Sequence, residues 1–241
     1  MTPMKPRSGT LYLIPVALGD GTASEVLPAA TLEVLRRLRS FIVEDARSAR
    51  RFLKAAGYPY PLQEAKFHLL NEHTRRDELD ALLSLLMSGE DQGLMSEAGC
   101  PCVADPGEAL VRRAMDGEIR VVPLVGPSSI LLALMASGMS GQRFTFHGYL
   151  PVEKRERARA IELLEAQAES ATQIFIETPY RSVTLFQALL EQCRHDTRVC
   201  VAADLTLQSE FVQTRSVREW KGAAPRLERR PAVFLVYRGG V

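Results

Sequence analysis

Three short segments combine glycine, proline and small polar residues as a main-chain ligand cradle requires: Ala17-Leu18-Gly19-Asp20-Gly21, Ser96 to Gly107 (SEAGCPCVADPG) and Gly126-Pro127-Ser128-Ser129. Glycine lets backbone approach a ligand closely or take positive φ, and proline fixes φ, so such segments are rigid and present their amides and carbonyls. Any one of them is equally a plain turn. Three in succession, each after an apolar run, favour the walls of one pocket. A second chemical pattern lies in Arg47, Arg50, Arg51 and Lys54, spaced i, i+3, i+4 and i+7 and so on one helix face, with Ala49, Phe52, Leu53 and Ala56 on the opposite, core-facing side. Such a stripe holds phosphates when it borders a site and is a solvated face otherwise. No G-x-G-x-x-G follows the first strand and no G-x-x-x-x-G-K-[ST] occurs, so dinucleotides and nucleoside triphosphates lack their usual signatures. His68, His73, His147 and His195 are scattered, which gives no metal-hydrolase cluster, and no metal is expected.

The elements that position these segments alternate. Thr10 to Val16 reads as a strand and Thr31 to Arg39 as a helix with Leu32, Leu35 and Leu38 on one face. Phe41 to Val43, Lys66 to Leu70, Gly93 to Ser96 and Arg120 to Leu124 read as strands. Helices run from about Arg47, through Leu79, Leu82, Leu83 and Leu86, and over Glu108 to Met115. The second half continues with helix Ser128 to Ala136, strand Arg143 to His147, helix Arg155 to Gln167, strand Thr172 to Glu177, helix Ser182 to Cys193 and strand Arg198 to Ala203. Two last runs, Glu210 to Thr214 and Ala232 to Tyr237, are joined by too little chain for a comfortable parallel crossover, so an antiparallel, mixed sheet is expected there. The expected architecture is two α/β domains, 1–123 and 124–241, the first mainly parallel and the second mixed. In open sheets of this kind ligands gather at the carboxyl ends of strands, where all three cradle segments fall.

Composition narrows the class further. The 241 residues are 46% hydrophobic and 24% charged, which is ordinary for a globular chain and excludes disordered and fibrous classes. A net charge of +1 requires any polyanion-binding surface to be a local patch. No apolar run reaches the ~20 residues that span a bilayer, and Met1 to Thr10 lacks the apolar centre of a secretion signal. Cys100, Cys102, Cys193 and Cys200 lack zinc-site spacing and read as reduced thiols. A cytoplasmic protein without membrane contact is expected.

SEAGCPCVADPG followed by VVPLVGPSS resembles the S-D-A-G-x-P-x-x-x-D-P-G and V-x-G-P-S motifs of the tetrapyrrole methylase superfamily. Within it the chain is most similar to the small-subunit rRNA 2′-O-ribose (cytidine) methyltransferases. LYLIPVALGD resembles their first strand and turn, FIVEDARSARRFL their E-D-x-R-x-x-R-R segment, and FHGYLP and FIETPYRS their later strands, so the resemblance runs from about Leu11 to Ala203. It implies a homodimer that holds S-adenosyl-L-methionine in a cleft between two α/β domains. By the same resemblance Pro15, Leu18 and Gly19 border the cofactor, Glu97, Ala98, Gly99 and Pro101 form one wall, Gly126, Pro127, Ser128 and Ser129 another, and Ala203 lies against the adenosine. The chain departs from the pattern in three places. Glu97 replaces the usual Asp, Gly19-Asp20-Gly21 replaces G-N-L, and the chain ends soon after Tyr237 where rRNA members commonly extend.

Methyl transfer from a sulfonium is an in-line displacement that needs alignment and electrostatics more than reactive side chains. If a ribose hydroxyl is the acceptor, a carboxylate takes its proton. The candidates are Glu97, Asp45 and Glu177, with alternative roles as a cofactor anchor, a helix cap and a partner of Arg181 respectively. On the acceptor side the expectation is RNA of the small ribosomal subunit, held by Arg47, Arg50 and Arg51, with Lys154, Arg155, Arg157 and Arg159 extending the surface and Asn71, His73, Tyr180 and Arg181 near the target. Two other readings stay open: a methylase of a tetrapyrrole or corrin-type small molecule, and a non-catalytic RNA-binding protein that retains the fold.

Overall fold

The computed structural model describes residues 8–20, 23–71 and 73–239. Gly21 of the first cradle segment and Glu72 of the Asn71-Glu72-His73 triplet lie outside the described residues, as does most of the stretch from Met1 to Thr10. The chain divides between Ser128 and Ser129 into two compact units.

In the N-terminal unit the elements run β1 (Thr10–Leu13), α1 (Ala23–Val26), α2 (Ala29–Arg37), β2 (Ser40–Val43), α3 (Ala46–Ala55), β3 (Lys66–Leu69), α4 (Arg76–Met87), β4 (Gln92–Met95), α5 (Glu108–Asp116) and β5 (Arg120–Pro123). The five strands form one sheet in the order β3-β2-β4-β1-β5, every pair parallel. A parallel sheet must be covered on both faces, and two clusters cover it. Phe41, Val43 and Met95 pack with Leu32 and Leu35 of α2 and Phe52 and Leu53 of α3. Leu11, Ile42 and Leu94, which point the other way, pack with Leu79, Leu82 and Leu86 of α4 and Leu110 and Ala114 of α5. All five carboxyl ends therefore share one edge, and every connection leaving it is a loop of the kind that carries sites.

Some boundaries differ from the sequence reading. The helix expected over Thr31 to Arg39 starts two residues earlier, because Pro28 at its N-cap supplies a pre-set φ, and it stops at Arg37, with Leu38 already extended. The first strand ends at Leu13 instead of Val16; Val16 instead makes an isolated antiparallel bridge to Gly99.

The C-terminal unit runs α6 (Ser129–Ser137), β6 (Phe144–Tyr149), α7 (Lys154–Gln167), β7 (Thr172–Glu177), α8 (Ser182–Gln192), β8 (Arg198–Ala203), β9 (Phe211–Ser216), α9 (Val217–Trp220) and β10 (Ala232–Tyr237). Its sheet order is β6-β7-β10-β8-β9. Only β6 and β7 are parallel; β10 enters between β7 and β8 and pairs antiparallel with both, and β9 pairs antiparallel with β8. The sheet is mixed as expected, but not for the reason read from the sequence. β9 and β10 both run antiparallel to β8 and therefore parallel to each other, and the chain over 217–231, which contains α9, makes the parallel crossover past β8. One face carries Phe175, Val201 and Phe234 against Ile161, Leu185, Phe186 and Trp220. The other is covered by α6, which packs on β8, β9 and β10.

Candidate functional site

Along the carboxyl edge of the N-terminal sheet two neighbouring regions differ in chemistry. Over β4, β1 and β5 the edge is main chain. The amide of Val16 donates to Gly99 O at 2.8 Å and that of Gly99 donates back to Val16 O at 3.0 Å, which locks the loops after β1 and β4 together. Gly99 has φ +74°, and a Cβ there would meet only Leu18 Cδ2 at 3.4 Å and Pro127 O at 3.9 Å. Gly99 is buried, and its left-handed backbone packs beside Leu18 and Pro127. Gly126 is a case of close approach: a Cβ would fall 2.4 Å from Pro15 Cβ and 2.9 Å from Leu27 Cδ2. Thr31 Oγ1 donates to Val125 O at 2.7 Å, so α2 fixes the height of the third cradle segment, and the Cys100 thiol reaches Pro127 O at 3.5 Å. The sheet thus brings together Pro15, Leu18, Gly19, Ala98, Gly99, Pro101, Gly126 and Pro127 on one stretch of edge. Ser129 and Ala203 belong to the C-terminal unit, where Ala203 is fully buried at the end of β8.

Over β3, β2 and β4 the same edge is acidic. A cavity of ≈ 360 Å³ is lined by Glu44, Asp45, Asn71, Glu97, Ala104, Asp105 and Pro106. Burial, reinforced by the charges of Asp105 and Glu97, pushes the Glu44 carboxyl up from 4.5 to about 7. Asp105 is raised as well, by burial first and then by Glu97. Ser96 Oγ lies close enough to both carboxyls to draw them partly back, yet it makes no hydrogen bond of good geometry. The loop that carries Asp105 holds two non-glycine residues at positive φ, Cys102 at 66° and Ala104 at 64°, a conformation that survives only where the surroundings enforce it.

The three carboxylates named from sequence fall into different situations. Glu97 lines the cavity, is exposed and accepts from Ser48 Oγ at 3.2 Å. Asp45 lines it too, but its Oδ1 accepts the Ser48 amide at 2.7 Å as the N-cap of α3, and that bond holds its carboxyl below the usual range. Glu177 lies in the C-terminal unit, where Oε1 accepts from Arg181 Nη2 and the Thr178 amide, both at 2.7 Å. This is the alternative reading of Glu177 and Arg181 as an ion pair. Glu44 and Asp105 were not singled out from sequence. Two signals were available: Glu44 follows the apolar strand Phe41-Ile42-Val43 and opens the E-D-x-R-x-x-R-R segment, and Asp105 is the acid of the D-P-G that ends the second cradle segment.

Helix α3 starts at this cavity. Its core side, Ala49, Phe52 and Leu53, is buried, and Arg47, Arg50, Arg51 and Lys54 are exposed on the other side. Arg50 stacks over Phe67 at 4.6 Å, and Arg51 pairs with the exposed Asp20 at 3.7 Å. Asn71 Oδ1 accepts the His73 amide at 2.9 Å, closing the turn after β3, and Tyr180 in the C-terminal unit is 87% exposed. Arg157 is held by Val152 O at 2.8 Å, while Lys154, Arg155 and Arg159 are exposed on α7. No cluster of three or more His, Cys, Asp or Glu suited to a metal occurs among the described residues.

A model of the tetrapyrrole (corrin/porphyrin) methylases matches residues 10–220. The chain belongs to that family. Several relatives carry the name ribosomal RNA small subunit methyltransferase I. The one from Pseudomonas aeruginosa is 32% identical over 235 residues, covering 95% of this chain and 79% of that protein. The one from Mesorhizobium japonicum is 35% identical over 216 residues, covering 90% and 70%. Among solved structures the methylase fold is shared with the methyltransferase CobJ (TM-score 0.63, 16% identity, 97% of this chain and 95% of that one). It is also shared with uroporphyrin-III-C-methyltransferase from Thermus thermophilus (TM-score 0.56, 20% identity, 95% and 92%). Identities this low speak for the fold alone; the family match and the curated relatives make this methylase an enzyme of methyl transfer.

Proposed function

We propose that this methylase transfers a methyl group from S-adenosylmethionine to a ribose 2′-hydroxyl in small-subunit ribosomal RNA. The observation that carries the RNA reading is helix α3. Its N-cap lines the acidic cavity, and its outward face carries Arg47, Arg50, Arg51 and Lys54, so phosphates held on the helix would bring a backbone up to the carboxyl edge. The names of the curated relatives support the same acceptor. No helix among the described residues is long and apolar enough to cross a membrane.

The residues present fit a cationic nucleoside. The reciprocal bonds between Val16 and Gly99 fix the loops after β1 and β4 as a rigid edge of small residues, and the carboxylates of Glu97, Glu44 and Asp105 on the same sheet edge favour positive charge. Pro15, Leu18, Gly19, Glu97, Ala98, Gly99, Pro101, Gly126, Pro127 and Ser128 would hold it, and Ser129 and Ala203 keep the role that family resemblance implies. When bound, it supplies an electrophilic methyl group. Asn71, His73 and the α3 arginines are assigned to the acceptor; Tyr180 is assigned there too, and Arg181 serves through its pair with Glu177. A cytoplasmic homodimer completes the proposal: the four free thiols support a reducing compartment, and the dimer, implied by family resemblance, is tested by sedimentation.

The test is transfer of labelled methyl to small ribosomal subunits isolated from cells lacking this gene. Label in the rRNA, resistant to alkaline cleavage at one ribose, is the expected result. Label found only in small-molecule extracts would replace RNA with a macrocycle, and failure to bind S-adenosylmethionine in a calorimeter would leave a non-catalytic binder.

A further inference from the structure

Two polar atoms at the acidic edge have no hydrogen bond of good geometry from the described residues. Glu44 Oε1 is buried without a partner, and so is Ser96 Oγ, in a residue only 7% exposed that lies against the carboxyls of both Glu44 and Asp105. Buried groups are nearly always paired, and exceptions mark places where something else completes the bonds. Glu44 also lines the cavity, at the end of β2, with the ends of β3 and β4 on either side.

We infer that Glu44 takes the proton of the hydroxyl that receives the methyl group, with Ser96 and Asp105 as its positioning residues. The inference rests on the methyl-transfer reading above and names the group that reading leaves open. The hydroxyl oxygen forms a bond to the methyl carbon and the sulfur–carbon bond breaks with its electron pair left on sulfur. The hydroxyl proton passes to the Glu44 carboxylate and from there to water. The other carboxylates are less suited. Asp45 is committed to the α3 amide and made more acidic by it, and Glu177 is neutralised by Arg181. Glu97 is exposed. Glu44 faces Asp105 and Glu97 from the loop after β4, with Asp45 next in its own chain and the neutral Asn71 after β3, and no cation is among the groups that shift it. These surroundings raise it to about 7, where a carboxylate is both present in its ionised form and basic enough to accept a proton.

Glu44→Gln and Glu44→Asp test this in single-turnover methyl transfer from about pH 5.5 to about pH 8.5, with cofactor and RNA saturating. The wild-type rate is expected to climb with pH and level off near 7, following the Glu44 carboxyl. E44Q should be at least ~100-fold slower and without the climb, and E44D should recover part of the rate together with the climb. Cofactor and RNA affinities should stay within about threefold of wild type, under ~0.7 kcal/mol. A readout independent of turnover is the melting temperature of the unliganded protein. Unfolded Glu44 releases its proton near 4.5 and the folded residue near 7, so ionisation works against the fold and stability falls as pH rises through that window. E44Q should therefore melt above wild type at pH 8 and level with it near pH 4.5. An E44Q enzyme that keeps the rate and its pH climb overturns the assignment. So does one that is slow only because it has lost affinity for RNA or cofactor. A wild-type protein that moves no methyl at all overturns the functional reading and Glu44 with it, a result distinguishable from the other two.

Discussion

Gly126 shows how single atoms set the shape of the cradle. It sits where the loop after β5 passes Pro15, and the 2.4 Å separation between a hypothetical Cβ and Pro15 Cβ leaves no room for even one methyl group. Pro15 cannot rotate away, so Gly126→Ala must displace one loop or the other. Overpacking of this kind costs about 1–3 kcal/mol. The expected result is a lower melting temperature and weaker S-adenosylmethionine binding by calorimetry, and unchanged affinity would remove this loop from the cofactor site. The cradle glycines and prolines stood out in the sequence because their types are unusual in series. Glu44 was visible as the first residue of the E-D-x-R-x-x-R-R segment but gave way to its neighbour Asp45 as a candidate, because a glutamate after an apolar strand looks like any solvated strand end. The groups that act on it besides burial, Asp105, Glu97 and Ser96, are more than fifty residues away, and no local pattern around Glu44 encodes that proximity.

Helix α3 joins both regions of the edge in one element. Its amphipathic period was plain in the sequence, since Ala49, Phe52, Leu53 and Ala56 all meet the core cluster with Leu32, Leu35 and Phe41. Its start was legible as well: Asp45 holds the Ser48 amide as an N-cap should. Asp45→Ala should cost about 1 kcal/mol of stability in urea unfolding, whereas Asp45→Asn should cost less because an amide oxygen still accepts. Loss of transfer far beyond what that destabilisation explains would instead give Asp45 a chemical role. Less legible was the end of α2, where the leucine spacing continues to Leu38 although the backbone has already turned extended. Leu38 stays buried in the new conformation, so hydrophobic spacing alone cannot mark the stop.

Across the molecule 30 basic and 29 acidic side chains nearly cancel, so any hold on a polyanion must come from local arrangement rather than total charge. The α3 stripe is such an arrangement. Arg47→Ala combined with Arg51→Ala is expected to weaken RNA binding and to flatten the dependence of log K on log salt by roughly 1.5, the share of two phosphate contacts. A slope that does not change would remove α3 from RNA binding. The alternation of strands and helices made the two-unit α/β architecture readable, whereas the short last connection was misleading. It carries α9 past β8 and joins two strands of the same direction, and the mixed character comes from β8 lying antiparallel between them. That β10 would enter between β7 and β8 was not readable, because its apolar run fits any central strand and the choice of neighbours is made by packing across the whole unit. One residue of that unit has a practical consequence. Trp220, the chain's single tryptophan, is fully buried, donates its indole N–H to Val199 O at 2.8 Å and meets Phe186 edge-on at 5.5 Å. All indole fluorescence therefore originates in the C-terminal half, emitted from a dry surrounding at short wavelength. A red shift on denaturation times the opening of that half alone, and events at the acidic edge need a separate optical reporter.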